Sequence, residues 1–265
     1  MAISSKRKTD GLSLSDDELD LLIVSLAQEE KTAYLGLDRD VEVESMMRSR
    51  YRLKEILRGI PDSVNRLSIL DIGTPPNTLI IKCLHPNYEV STLDISSLMA
   101  ERCISRGIQF KVCNLASDLI PFENDSFDVV VFTEVLEHLF RRPSEVLMEI
   151  NRVMRSGAKL IFTVPNIATL VNRVRLLMGI SPLEKVETQI TPNQVQRPFS
   201  HGHLREYTMK EVIALLQSCN FSVSRKKYLK PELGGPSRGA SVLYIAGSLM
   251  PSLSPTIYVE CFKRG

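Results

Sequence analysis

From Leu67 to the end of the chain, short apolar runs alternate with stretches of helical periodicity. Seven of these runs are predicted to be strands, because they are rich in β-branched and aromatic residues and end at turn residues. The predicted strands cover residues 67–73, 88–94, 108–114, 127–133, 157–165, 221–229 and 256–262. The run VVVF is apolar on both strand faces, which is typical of a sheet covered on both sides. The pattern therefore predicts an α/β fold with a doubly wound, mostly parallel seven-stranded sheet.

The chain ahead of the first strand has a different pattern. Residues 1–14 are polar, include a short basic cluster, and are predicted to form a flexible tail. Residues 15–62 contain two helical patterns, and the first begins at Ser15, where Glu18 completes a capping box. Residues 63–265 are predicted to form the main domain, which contains the whole sheet.

Composition and charge narrow the classes of function. The chain has 33 basic and 31 acidic residues, and this balance gives no strong pull toward nucleic acid or an anionic membrane. No signal peptide is seen, and no apolar run reaches the roughly 18 residues of a membrane span. The five cysteines are scattered without a C-x-x-C pair, which favours free thiols in a reducing, cytoplasmic compartment. The apolar segment 240–249 is predicted to pack as a core or partner-facing helix; contact with a membrane interface is the alternative, which the absence of a basic face disfavours.

The ends of the strands carry the candidate chemistry, since ligands of open parallel sheets bind beyond the carboxyl ends of the strands. The first strand ends in Asp71 and Gly73, and the glycine allows the backbone to approach a ligand closely. The second ends in Asp94, whose carboxylate can accept hydrogen bonds from both hydroxyls of a ribose. The third ends at Asn114 and Leu115, which suit the edge and the face of an adenine ring.

The fourth strand ends in TEVLEH, and with this segment the chain resembles the class I S-adenosylmethionine (SAM)-dependent methyltransferases. The resemblance rests on DIG near 71, LDIS near 93, the segment 114–139 and SGAKLIFTVPN at 156–166, in this order and spacing. The segment 201–221 resembles the part of a bacterial-type subgroup that leads into the last helix and hairpin. The resemblance implies the Rossmann-like methyltransferase fold, with SAM as the cofactor.

The resemblance also implies which residues bind the cofactor. They are Asp71, Gly73 and Thr74 after the first strand, Asp94 and Ile95 after the second, Asn114 and Leu115 after the third, and Thr133 and Glu134 after the fourth. In this assignment the first group lies under the methionine moiety, Asp94 holds the ribose, and Ile95 stacks on adenine. Thr133 and Glu134 lie near the methionine end.

One departure from the family pattern concerns the glycine-rich loop. Of the three glycines that the pattern has after the first strand, this chain keeps Gly73, while Pro75 and Asn77 occupy the other two positions. A proline removes a backbone donor and fixes φ, whereas asparagine tolerates left-handed backbone geometry. A catalytically inactive member of the fold that serves as a binding or scaffold protein is therefore an alternative hypothesis.

The acceptor side is predicted to lie between the carboxyl edge of the sheet and residues 166–207. His138 is a candidate general base, or else it packs structurally against the sheet edge. The candidate substrate-binding residues are Asn166, His201, His203 and Arg205. The last three form an H-x-H-x-R set, which could bind an anionic group of the acceptor or fasten the loop through hydrogen bonds. No metal site is predicted, because the two histidines lack a third ligand nearby in the sequence.

The sequence thus predicts a SAM-dependent methyltransferase whose acceptor is a small molecule, a glycan or a lipid-linked compound, with a hydroxyl favoured. Because a sulfonium is a good leaving group, the enzyme mainly needs to position the acceptor for in-line displacement and to deprotonate it where it is a hydroxyl. An RNA methyltransferase is a further alternative, which the near-neutral charge disfavours.

Overall fold

The structure is a computed structural model, and it describes residues 15–28, 49–73, 77–183, 202–230 and 250–265. Several sequence predictions fall outside these ranges. They are the tail at 1–14, the roles of Thr74, Pro75 and His201, and the apolar segment 240–249.

The seven predicted strands are all present and form one sheet. They are β1 Ser68–Ile72, β2 Glu89–Asp94, β3 Gln109–Val112, β4 Phe127–Thr133, β5 Met154–Pro165, β6 Phe221–Leu229 and β7 Thr256–Lys263. The strand order is β3-β2-β1-β4-β5-β7-β6. The first five strands pair in parallel, and β7 is antiparallel to both of its neighbours. The predicted fold class is therefore confirmed.

Helices cover both faces of this sheet. They are α1 Asp16–Gln28, α2 Arg50–Gly59, α3 Asn77–Leu84, α4 Ala100–Ser105, α5 Pro143–Val153, α6 Leu170–Leu177 and α7 Met209–Ser218. Two short 3-10 turns lie at Leu136–His138 and Pro251–Leu253. Among the described residues, no helix is both long enough and apolar enough to cross a bilayer.

Alternate residues of the central strands enter two separate apolar cores. Val130 and Phe132 of β4 pack in the core that includes α5 and α7, whereas Val129 and Val131 pack in the core that includes α1 to α4. This alternation follows from the two-residue period of a strand. Both faces of β4 are buried. The polar residues at its end and just after it therefore lie at the carboxyl edge of the sheet.

The N-terminal helices pack directly on the second of these cores. Leu53 and Ile56 of α2 are almost completely buried. Lys54 of α2 forms an ion pair with Asp20 of α1 at 2.9 Å, and the Tyr258 hydroxyl of β7 donates to the Glu55 carbonyl at 3.1 Å. Helices α1 and α2 therefore share a core with the sheet, while the domain boundaries remain a prediction.

A capping box fixes the start of α7. The Thr208 hydroxyl accepts from the Glu211 backbone N–H, and the Glu211 carboxylate accepts from the Thr208 backbone N–H. We expect Thr208→Ala to lower the free energy of unfolding by about 1 kcal/mol, because one helix-end donor loses its partner. Urea denaturation measures this loss. Thr208→Ser keeps the hydroxyl and should stay close to wild type, so equal losses in both variants would contradict the capping role.

Candidate active site at the carboxyl ends of the central strands

The strand order places a crevice between β1 and β4. These two strands are parallel neighbours, but α3, which follows β1, and α5, which follows β4, pack in the cores on opposite faces. The chain therefore leaves the sheet in opposite directions on the two sides of this point. Such a topological switch point is where open α/β sheets bind ligands, beyond the carboxyl ends of the strands.

Asp71 lies at the end of β1 and is 1% exposed. Its carboxylate accepts a short hydrogen bond from the Thr78 hydroxyl of α3, and its backbone carbonyl accepts one from the Thr92 hydroxyl of β2 at 2.9 Å. Burial raises the pKa of the Asp71 carboxyl to about 7, although the bond from Thr78 acts in the opposite direction. Asp71 therefore joins β1, β2 and α3 beneath the crevice.

Gly73 has a φ of 110°, a backbone conformation that side chains disfavour. A Cβ at this position would lie 2.7 Å from Cγ2 of Val135, which follows β4. The glycine therefore allows the loops after β1 and β4 to approach each other.

Asn77 occupies the last glycine position of the family pattern and is the first residue of α3. It is almost completely buried, and its side-chain amide donates to the Thr133 hydroxyl at 3.1 Å. Because Thr133 ends β4, this bond connects the two sides of the crevice. Here asparagine has a bonding role that a glycine could not supply.

Asp94 lies at the end of β2, as predicted, and is 9% exposed. One carboxylate oxygen accepts from the Ser96 backbone N–H at 2.9 Å, which fixes the turn that leaves the strand. Ile95 in this turn is half-buried. The charge of Asp94 also contributes to the raised pKa of Asp71, so the two carboxyls interact at this edge of the sheet.

The loop after β3 is held by its own polar groups. The Asn114 side-chain oxygen accepts from the Ala116 backbone N–H at 3.0 Å, and the Asn114 backbone N–H donates to Asp118 at 2.8 Å. Leu115 is buried in the core, and Arg141 donates to its carbonyl at 3.2 Å. The Asn114 side-chain oxygen therefore shapes the loop.

Glu134 follows β4 with a φ of 53°, which is unusual for a residue with a side chain. One of its carboxylate oxygens accepts from the Thr163 hydroxyl of β5 at 2.8 Å, and the other lies 3.3 Å from the Arg52 guanidinium of α2. An N-terminal helix thus contributes a charge to this end of the crevice. The sequence pattern gave no signal for this role of Arg52, since the two residues are far apart in the chain.

His138 and His203 come together at the carboxyl end of β4. Their rings lie 5.1 Å apart, centroid to centroid, at an interplanar angle of 67°. The carbonyl of Glu137 accepts from the backbone N–H of Leu204 at 2.8 Å, so the second segment is attached to the 3-10 turn after β4. Nδ1 of His203 lies 2.9 Å from a carboxylate oxygen of Glu206, and this bond raises the pKa of the His203 imidazole.

Glu137 is buried beside these histidines, with 1% of its surface exposed. Neither of its carboxylate oxygens has a hydrogen-bond partner among the described residues. Burial, together with the charge of Glu134, raises the pKa of the Glu137 carboxyl to about 8. Neither Glu137 nor Glu206 was among the candidate residues selected from the sequence. The spacing E-x-x-E-H, followed much later by H-x-x-E, was the signal that could have identified them.

Two predicted substrate-binding residues bind other parts of the protein. The Asn166 side chain donates to the carbonyls of Ser252 and Ser254 and accepts from the Ala168 N–H, so it joins the end of β5 to the turn before β7. The Arg205 side chain pairs with the Glu211 carboxylate at 3.0 Å. Of the predicted H-x-H-x-R set, the structure therefore brings His203 to His138.

Comparisons with known proteins agree with this architecture. Residues 70–162 match a family model described as a methyltransferase domain. The Ubiquinone biosynthesis O-methyltransferase of Rickettsia bellii (strain OSU 85-389) is 24% identical over 209 residues, which are 76% of this chain and 82% of that protein.

Solved structures show the same fold. A putative methyltransferase of Haloferax volcanii, in complex with the Trm112 methyltransferase activator, has a TM-score of 0.58 at 16% identity, over 86% of this chain and 93% of that one. The N-methyltransferase NodS of Bradyrhizobium japonicum, in complex with S-adenosyl-L-homocysteine, has a TM-score of 0.53 at 13% identity, over 92% and 99%.

The raised pKa of Asp71 predicts a pH dependence of stability. The ordinary value is 3.8 and the folded value is about 7, so the folded protein keeps a proton that the unfolded chain releases. The stabilisation is complete below about pH 4 and is lost as the pH rises through 7. We expect Asp71→Asn, which is always neutral, to gain stability relative to wild type between pH 4 and pH 8, by as much as about 4 kcal/mol.

Urea denaturation at both pH values measures this difference. Glu123→Gln changes an exposed carboxylate on the loop before β4 and should follow the wild-type pH profile. A constant difference between Asp71→Asn and wild type at both pH values would show that Asp71 is charged in the folded protein.

Proposed function

Because residues 70–162 match a methyltransferase-domain model and the fold is that of solved methyltransferases, we propose that this chain is a SAM-dependent methyltransferase that transfers the methyl group to a hydroxyl of a small-molecule, glycan or lipid-linked acceptor. The observation that carries the choice of a hydroxyl is the pair of imidazoles at the carboxyl end of β4. A hydroxyl has to lose a proton when it is methylated, and histidine is the side chain best suited to accept it near neutral pH.

The residues at the crevice fit the cofactor. Gly73 leaves the end of β1 without a side chain, with a φ of 110°, and the buried carboxylate of Asp94 lies at the end of β2, where ribose hydroxyls are held in this type of fold. When bound, SAM supplies a methyl group on a positively charged sulfur. We assign the ribose to Asp94 and the adenine to Ile95 and Leu115, and we place the methionine end near Gly73 and Thr133.

Positioning of the acceptor is assigned to the end of β4 and the segment beside it. His203 and Glu137 are held together by backbone hydrogen bonds between residues 204 and 137, so the groups around His138 are fixed before an acceptor arrives. Fixed groups lower the entropic cost of bringing two reactants together. His138 is 37% exposed at its side chain and is our candidate for the group that accepts the proton of the hydroxyl.

The relatives are compatible with this acceptor class without specifying it. The Rickettsia bellii protein is named as an O-methyltransferase, and the Bradyrhizobium japonicum protein as an N-methyltransferase. Our choice of oxygen therefore depends on the histidine pair in this chain. An assay of S-adenosyl-L-homocysteine release with phenolic, sugar and amine acceptors tests it, and turnover restricted to amines would contradict it.

The ribose assignment predicts that Asp94→Ala binds SAM at least about tenfold more weakly, because a carboxylate that accepts from both hydroxyls contributes more than 1.4 kcal/mol. Calorimetric titration with SAM and with S-adenosyl-L-homocysteine measures the change. Glu89→Gln alters an exposed carboxylate at the other end of the same strand and should bind as wild type does. Equal affinity of Asp94→Ala and wild type would refute the assignment, and absence of binding by wild type would restore the scaffold alternative.

The assignment of His138 predicts a loss of turnover without a loss of cofactor binding. We expect His138→Asn to lower kcat by about 100-fold or more, as is typical when a general base is removed, and to leave the Kd for SAM unchanged. A variant that retains the wild-type rate would eliminate His138 from the reaction.

A further inference from the structure

Three side chains from two distant parts of the sequence form a cluster of metal-binding type. Glu137 and His138 belong to the 3-10 turn after β4, and His203 comes from the segment before α7. Each offers one donor atom, and these atoms all lie within 4.8 Å of one another. We refer to these three residues as the Glu137 cluster.

The distances between donor atoms in the cluster are close to those between the ligands of one bound cation. Donor nitrogens and oxygens lie about 2.0–2.2 Å from a zinc ion, so two donors of the same ion are separated by about 3–4 Å. Nε2 of His138 lies 3.8 Å from Oε1 of Glu137. Side-chain movements of under about 1 Å would therefore bring all three donors to one ion.

Glu137 has the burial and the missing bonds of a ligand. A buried carboxylate without partners is strongly disfavoured, and such groups in proteins are normally paired or coordinate a metal. Both oxygens of Glu137 lack a hydrogen-bond partner among the described residues, and the negative charge of Glu134 lies close enough to act on it. A cation between the two histidines would compensate both for the missing hydrogen bonds of Glu137 and for the nearby negative charge of Glu134.

His203 is oriented as metal-binding histidines usually are. Its Nδ1 is hydrogen-bonded to the Glu206 carboxylate at 2.9 Å. A proton on Nδ1 leaves the lone pair on Nε2, and a carboxylate in this position fixes the ring and makes the other nitrogen a better donor. Glu206 is 13% exposed at its side chain, so the bond is partly shielded from water.

The backbone holds the two parts of the cluster together without a ligand. The Glu137 carbonyl accepts from the backbone N–H groups of Leu204 and Arg205, at 2.8 and 3.4 Å. Beyond them, the Tyr207 carbonyl accepts from the N–H of Ile167, which follows β5. The segment that carries His203 is therefore fixed at the edge of the sheet.

We propose that Glu137, His138 and His203 bind one divalent cation of the first transition series, such as Mn²⁺, Co²⁺ or Zn²⁺. Two imidazoles and one carboxylate suit these ions better than Mg²⁺, which prefers oxygen donors. The side chains of both histidines are 37% exposed, so coordination positions remain open toward solvent. This assignment rests on the proposed function: the open coordination positions of the cation bind the acceptor hydroxyl, whose pKa the cation lowers. With the cation bound, the proton of the hydroxyl passes to solvent water and His138 acts as a ligand, whereas without the cation His138 accepts that proton.

Titration of chelator-treated protein with Co²⁺ tests the site, because the visible absorption of Co²⁺ reports nitrogen and oxygen coordination. We expect one equivalent of Co²⁺ to bind to wild type, to be displaced by Zn²⁺, and to be little affected by an equal concentration of Mg²⁺. Absence of Co²⁺ and Zn²⁺ binding to the folded wild-type protein would overturn the proposal.

Variants assign the site to its residues. Glu137→Gln and His203→Asn should lose the Co²⁺ spectrum, while Glu206→Gln should weaken the affinity by about 10–100-fold, as loss of a supporting carboxylate does. The exposed Glu123→Gln serves as the control and should bind as wild type does. Thermal unfolding without metal checks that each variant is folded. Wild-type Co²⁺ binding by both Glu137→Gln and His203→Asn would place the cation elsewhere and refute the proposal.

Titration of the same proteins with SAM separates this inference from the proposed function. None of the three ligands is assigned to the cofactor, so SAM affinity should be unchanged in variants that have lost Co²⁺. Intact SAM binding together with no Co²⁺ binding would support the methyltransferase proposal and refute the proposed cation site. Intact Co²⁺ binding without turnover of hydroxyl acceptors would keep the cation site and refute its assigned role.

Discussion

The parallel pairing of β1 with β4 is the constraint on which the rest of the structure depends. Both strands are buried on both faces, so their side chains form the core, and polar groups emerge where the strands end. Because the connections that follow them diverge to opposite faces, the two ends border an open crevice. Gly73 at the end of β1, and Thr133 and His138 at the end of β4, lie beside this crevice.

The crevice is held together by side chains as well as by the sheet. Asn77 bonds to Thr133 across it, Asp71 receives the Thr78 hydroxyl beneath it, and Arg52 reaches Glu134 from an N-terminal helix. These bonds connect the ends of β1 and β4 to α2 and α3 in a chain that has kept one of three glycines. At this glycine position, asparagine links the two sides of the crevice by a hydrogen bond, and the fold is unchanged.

Much of the fold was predictable from the sequence, because its signals are local. The seven apolar runs, the Ser15 capping box and the positions of Asp71 and Asp94 at strand ends all depend on nearby residues and appear in the structure. The predicted limits were less accurate for the third strand, which is confined to Gln109–Val112. A short edge strand ends where its hydrogen bonds to the neighbouring strand end, and the sequence pattern contains no information about that pairing.

The acceptor side was harder to predict because it depends on contacts between distant segments. His203 lies beside His138 because the segment before α7 is hydrogen-bonded to the turn after β4. Neither segment's sequence pattern indicates this contact. The prediction of no metal site considered the H-x-H pair within its own segment, whereas the proposed ligands Glu137 and His138 come from another. Asn166 was selected by its position after a strand, but its amide is used in joining β5 to the turn before β7.

The central claim is that a nucleoside cofactor binds over the carboxyl ends of β1 and β2. A crystal structure of the protein soaked with S-adenosyl-L-homocysteine tests it most directly. The account predicts density above Gly73, with the ribose hydroxyls in hydrogen-bond contact with the Asp94 carboxylate. A ligand bound elsewhere, or a crevice filled by the protein's own residues 74–76, would contradict it.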